Sequence, residues 1–271
     1  MRLLLILNSL LFFAYSFSAA AEVLGTYVPF VTKNANLCTI EIDDASLERV
    51  ISNRLNEMKI TATKLADDPE DYSYFLGQKI LSVASCFSID PVVFAGLIGH
   101  ESAFYYKSKS PTGAQGLGQL TTIALAEIAQ QLHAPHIKAA YRGREDAKIY
   151  WETALNCVSS DLNNGISLTH WWEVPKAERD AYLKTDKVLN LAYSAMIFKI
   201  GYSLAISKFK NTKFKTPKAK TDAIIRSILS SYNGASEAEQ QSHYAGTRLM
   251  MNKILTEVDA TANQCYQSKR V

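Results

Sequence analysis

Apolar residues recur along most of this chain with the period of an α-helix, and the polar stretches between them divide it into separate helical segments. Leu47, Val50, Ile51, Leu55 and Met58 repeat at helical spacing in a segment that opens at Asp44-Ala45-Ser46 and reads as helical to about Leu65. Asp67-Asp68-Pro69-Glu70-Asp71 interrupts it, and a second helix is predicted from about Tyr72 to Phe87. Asp90 then stands where it can cap the next helix, with Pro91 in the first turn and an almost wholly apolar run from Val92 to Gly99. Thr121 to about Leu132 is alanine-rich and helical in character, ended by His133-Ala134-Pro135-His136, and Glu145 to Leu162 carries Ile149, Trp151, Leu155 and Cys157. Lys187 to Phe209 is apolar on nearly all sides, the pattern of a helix buried at the centre of a domain. A further pattern from Lys220 through Ile224, Ile225, Ile228 and Leu229 runs into Ser231-Tyr232-Asn233-Gly234, and a last helix extends from Thr247 to about Val258. No internal repeat, low-complexity stretch or long alternating strand pattern occurs, so the expected fold is all-α.

Two segments do not follow the helical pattern. Residues 22 to 42 mix Gly, Pro, Thr and Asn with single apolar residues and read as an extended arm tied down by Cys38. Gly165 to Asp186 is polar and reads as a long connection. Its Trp171-Trp172 pair is either a stacking platform for sugar rings or an anchor for the loop itself. The lysine-rich run from Lys208 to Lys220, which includes Phe209 and Phe214, is either a solvated loop or a grip on an anionic polymer.

The chain opens with Arg2, an apolar run of roughly 15 residues, and the small residues Ser18-Ala19-Ala20-Ala21, the three parts of a secretory signal with cleavage expected after Ala21. No second apolar segment reads as a membrane anchor, and the expected location is secreted, periplasmic or extracellular. A net charge of +3 from nearly matched acidic and basic residues does not point to nucleic acid. Cys38, Cys86, Cys157 and Cys265 behind a secretion signal predict two disulfides, with three connectivities open. Their wide spacing is unlike a zinc site, and His133 and His136 lack a third ligand nearby in sequence, so no metal is expected.

The candidate chemistry lies at Glu101. It falls in the last turn of the Asp90 helix, where the negative end of the helix dipole and an apolar neighbourhood both favour the protonated carboxyl, as a general acid requires. Ser110-Pro111-Thr112-Gly113-Ala114-Gln115-Gly116-Leu117-Gly118-Gln119-Leu120 follows, and its three glycines suit a backbone that turns sharply or lets another chain pass closely.

Together, Glu-Ser-x-Phe at Glu101 to Phe104 and Ser-x-x-Gly-Ala-x-Gly-Leu-x-Gln-Leu at Ser110 to Leu120 resemble the signature of the soluble lytic transglycosylases, relatives of goose-type lysozyme that cleave peptidoglycan glycan strands. The resemblance extends from about Ser88 to Leu255. Asn190-Leu191-Ala192-Tyr193-Ser194 is similar to the family's Asn-Ile-x-x-Gly, with Ser194 in the glycine's place, and Ser231-Tyr232-Asn233-Gly234 keeps the Tyr-Asn pair of Ala-Tyr-Asn-Ala-Gly. Three departures stand out: Gly118 replaces a methionine, Thr121-Thr122 replaces Met-Pro, and Met250 stands in place of a tyrosine.

The resemblance implies a lysozyme-like helical catalytic domain over residues 88–271, with a short irregular or β-hairpin-like segment beside the cleft. Residues 22–87 would pack on it as an arm and helices, after a signal peptide at 1–21. It also implies Glu101 as general acid and then base. Ser102, Ser110, Gly113, Leu117, Gln119, Tyr232 and Asn233 would hold the sugars or line the acid, without cofactor, in a monomer acting on peptidoglycan.

No Asp or Glu lies between Ser102 and Ala126. Glycosidic hydrolysis usually uses two carboxyl groups, whereas the transglycosylase lets the muramic acid's own 6-hydroxyl attack. A hydrolytic lysozyme remains the alternative, with altered substrate preference such as a different acetylation state and a second carboxylate from Glu127, Glu145 or Asp146. A glycan-binding protein without turnover is the third reading.

Overall fold

The computed structural model describes residues 32–33, 36–37, 42–160, 178, 182, 186–232 and 236–258. Among them are nine α-helices: α1 (Asp44–Glu57), α2 (Ala62–Leu65), α3 (Pro69–Cys86), α4 (Pro91–Ser102), α5 (Thr122–Gln131), α6 (Glu145–Ser160), α7 (Lys187–Phe209), α8 (Pro217–Tyr232) and α9 (Glu237–Glu257). A two-residue antiparallel pair, β1 (Thr32–Lys33) with β2 (Asn36–Leu37), lies in the arm. The described fold is mostly helical, as the hydrophobic period predicts. Trp171, Trp172, Asn233, Cys38, Cys265 and the signal segment lie outside the described residues.

Three boundaries differ from the sequence pattern, each for a local reason. The first predicted helix is two, because the chain leaves α1 through a left-handed residue, Lys59 (φ 54°). The Lys59 N–H donates to Asn56 O and the Ile60 N–H to Leu55 O, a Schellman closure made without glycine. The acidic Pro stretch that stops the pattern also starts α3: the Asp68 side chain accepts from the Glu70 and Asp71 amides, with Pro69 in the first turn. Helix α9 begins well before Thr247, at a capping box in which Ser236 and Glu239 bond each other's amides.

Helix α4 is the axis of the domain. Asp90 caps it by accepting from the Val92 and Val93 amides, and every residue from Val92 to Gly99 is buried. Helix α9 runs along it, α3 packs beside it, and α7 crosses α3, α5 and α6 before meeting α8. The α4–α9 contact depends on small residues. A Cβ on Gly246 would overlap the His100 ring, so glycine is what lets that ring pack against α9. Met250 seats on Gly99 in the core.

A disulfide joins Cys86 at the end of α3 to Cys157 on α6. Of the three possible connectivities, only the one that also pairs Cys38 with Cys265 contains this bond. Peptide mapping without reduction is expected to yield these two cross-linked pairs, and a Cys38 or Cys265 peptide carrying a free thiol would contradict it.

Candidate active site

Glu101 is the penultimate residue of α4, and the chain turns away immediately after it. Ala103 and Phe104 both take left-handed conformations (φ 51° and 63°), which for side chains other than glycine costs about 1 kcal/mol or more each. The turn drives Phe104 into the core, fully buried, while the buried Tyr72 hydroxyl donates to its carbonyl. The end of α4 is thereby fixed from below, and the Glu101 side chain, 13% exposed, is left at the edge of the core.

The glycine-rich stretch folds back as an irregular hairpin. Gln115 and Leu120 exchange both backbone hydrogen bonds (3.1 and 2.9 Å), and Lys109 bridges Gln115. Before it, Ser110 to Gly113 forms a turn closed by the Gly113 amide on Ser110 O, with Gly113 at φ 90°. Helix α7 holds the hairpin through one side chain: Asn190 Oδ1 accepts from the Gly118 amide at 2.8 Å and Asn190 Nδ2 donates to Gln115 O at 3.2 Å. From α8, the Tyr232 hydroxyl donates to Gly118 O at 2.9 Å. Asn190 and Tyr232 thus clamp both polar groups of one peptide segment in a buried setting where an unpaired one would be costly.

Gly118 is buried and has no room for a side chain. A Cβ there would fall on Ser194 Oγ and lie 2.6 Å from Ser194 Cβ and 2.9 Å from the Tyr232 hydroxyl. The side of Gly118 that a side chain would occupy is filled from α7 by Ser194, whose hydroxyl donates to Asn190 O at 2.6 Å. Gly118 and Ser194 are therefore complementary in space.

The other sequence-derived residues divide by position. The Ser102 hydroxyl is buried and donates back to Ile98 O within its own helix. Ser110 Oγ accepts from the Ala114 amide and bonds Thr112. Leu117 is fully buried and roots the hairpin tip in the core. Gln119, at φ 49°, donates to Gly116 O and Ser108 O and so braces the hairpin from inside. Gly113 is exposed with open space around it. Glu101 and Tyr232 are brought together, whereas Ser110 and Gly113 mark the outer rim of the hairpin.

The hydrogen-bond partner of Glu101 is a residue absent from the sequence reading, His243. Its Nε2 lies 2.5 Å from Glu101 Oε1, and the His243 side chain is 3% exposed. The Tyr232 ring lies nearly parallel to this imidazole (6.1 Å between centroids, 14° between planes), and the His100 ring meets it edge-on at 4.8 Å. Burial, reinforced by the Glu101 charge, pushes ionisation of the Tyr232 hydroxyl well above the usual phenol range, so it stays a donor. The available signal for His243 was its spacing: His243, Thr247, Met250, Met251 and Ile254 form the buried face of α9.

No protein-family model, curated protein or solved structure matches this chain. Groups of His, Cys, Asp and Glu able to hold a metal ion do not occur among the described residues. Glu127 accepts from Gln131, the exposed Glu145 pairs with His133 and Lys148, and Asp146 pairs with Arg144.

His100 gives the site a measurable acid sensitivity. Burial above all, with repulsion from the Arg54 guanidinium added, lowers its pKa from 6.5 to about 4. The unfolded chain therefore binds this proton first as pH falls, so the associated stability is complete above pH 6.5 and lost between there and about pH 4. Allowing for partial exposure, the loss is about 2 kcal/mol. Urea unfolding at pH 7 and pH 4 is expected to show this loss shrinking in His100→Leu, and equal losses in both proteins would contradict it.

Proposed function

We propose that this chain is a secreted, peptidoglycan-cleaving enzyme of the lytic transglycosylase type, with Glu101 as its general acid and then its base. The observation that carries this reading is the convergence at one helix end: a nearly buried glutamate bonded to a buried histidine, beside a glycine hairpin whose backbone is clamped by Asn190 and Tyr232. A purely structural glutamate would have no need of so elaborate a surround, and a glycan-binding protein would have no need of a buried acid.

The steps follow from one carboxyl group. Glu101 gives its proton to the glycosidic oxygen between N-acetylmuramic acid and N-acetylglucosamine, the bond to C1 breaks, and the glucosamine leaves with a free 4-hydroxyl. The muramic N-acetyl oxygen holds C1 meanwhile. The Glu101 carboxylate then takes the proton of the 6-hydroxyl as that oxygen bonds to C1 and displaces the acetyl oxygen, which closes a 1,6-anhydro ring and restores the acid. Water does not enter. The local pairing of Glu127, Glu145 and Asp146 favours this route over a hydrolase that draws on one of them.

Purified sacculi incubated with the mature protein are expected to lose turbidity without added metal or cofactor. Undiminished turbidity with folded protein, together with binding to the sacculi, would instead support the glycan-binding alternative.

A further inference from the structure

Glu101 can donate to a leaving oxygen only if its proton sits on the carboxyl oxygen that faces the cleft. Oε1 is the oxygen turned inward, to His243 Nε2. If Nε2 were bare, it would draw the carboxyl proton onto Oε1 and away from any substrate. If Nε2 carries the hydrogen, Oε1 becomes the acceptor and the acid proton belongs on Oε2. The choice of tautomer thus decides whether the acid is aimed.

We propose that His243 is the positioning residue of Glu101, acting as a neutral imidazole whose Nε2–H donates to Oε1 and so keeps the transferable proton on Oε2. The inference rests on the peptidoglycan-cleaving reading for its kinetic consequence, though not for the geometry of the pair.

The surroundings of the ring support that tautomer. His243 Nδ1 is buried and unpartnered, so no described carboxylate or carbonyl holds a proton there. Thr247 Oγ1, one turn along on the same face of α9, is likewise buried and unpartnered. A hydroxyl can donate to a bare Nδ1 through one enclosed water. The groups facing the ring from the packed elements are Glu101 and His100 on α4 and Tyr232 on α8, with Arg54 of α1 acting on His100. His100 is held neutral over most of the pH range, and Tyr232 stays protonated, so Glu101 is the one acidic group against the ring among the described residues. After the proton leaves, the same Nε2–H stabilises the carboxylate through the second half of the reaction, and it returns unchanged. His243 itself is too buried to touch the substrate.

The test uses the full mature protein. Nitrogen-15 spectra of histidine-labelled wild type, at the pH of the sacculus assay, are expected to show a directly bonded proton on His243 Nε2 and none on Nδ1. In kinetics, His243→Leu is expected to lower kcat roughly 10- to 100-fold with KM little changed, because it misaims the acid without touching the sugars. His243→Gln, whose amide can supply the same N–H, is expected to recover most of that loss. A proton bonded to Nδ1, or equal kcat values for the Leu and Gln variants, would overturn the proposal. If His243→Leu fails to fold, the wild-type spectrum still decides it. Wild type inactive on sacculi would overturn the peptidoglycan reading instead, leaving the spectrum to decide how the pair is oriented.

Discussion

Replacing Glu101 by Gln is expected to abolish cleavage of sacculi while leaving thermal stability within a few degrees of wild type. Gln has nearly the same shape as protonated Glu and can still bond His243 Nε2 from its place at the end of α4, so the α4–α9 contact has no reason to loosen. It cannot give or take a proton. General acid and base roles are typically worth about 10²–10⁴-fold each, and both fall on this one residue in the proposed reaction. Turnover within a few-fold of wild type would remove Glu101 from the mechanism. A large loss of stability would instead mean that the carboxyl is chiefly a structural partner of His243.

The position of Glu101 was legible because the signals that put it at the end of a buried helix are local. Asp90 and Pro91 announce the start of α4, the unbroken apolar run says it is buried, and the acid follows at its last turn. The histidine that bonds it was not legible, since it lies in the first turns of α9, where Glu237, Glu239 and Gln240 dilute the hydrophobic period. The Ser236–Glu239 capping box was the sign that the helix starts there, and reading it would have placed His243 on the face shared with Met250 and Ile254. The stop at Lys59 could not be read at all, because the left-handed position carries a lysine where glycine would have marked it. The role of Asn190 needed the fold itself, for it reaches a peptide 72 residues away. The fit between Gly118 and Ser194 is of the same kind, because only the packing of α7 against the hairpin brings the two positions into contact.

That contact leads to the second large effect. Gly118→Ala is expected to destabilise the protein by about 1–3 kcal/mol, the usual cost of forcing an atom into a packed interior, and to cut activity with it. The added methyl meets Ser194 Oγ and Cβ and approaches the Tyr232 hydroxyl, so relief by movement would pull Tyr232 from Gly118 O. Ser194→Gly removes both obstructing atoms of α7. Combined with Gly118→Ala, it is expected to restore part of the lost stability and turnover, even though a glycine inside α7 by itself costs about 0.5–1 kcal/mol. Urea unfolding of the two single variants and the double variant measures the coupling directly. Strictly additive losses would mean that the hairpin and α7 do not press on each other as described.

The mass of the first soluble products is the most direct test of how the glycosidic bond is resolved. With no carboxylate between Ser102 and Ala126 to direct water, and with Glu127, Glu145 and Asp146 engaged by local partners, the muramic 6-hydroxyl holds the advantage of proximity. An intramolecular attack of good geometry is worth roughly 7–11 kcal/mol. Mass spectrometry of fragments released from defined peptidoglycan is expected to show 1,6-anhydromuramic ends from the earliest time point, each lighter by one water than a hydrolysed end. Reducing ends from the earliest time point would contradict the account and make the enzyme a lysozyme.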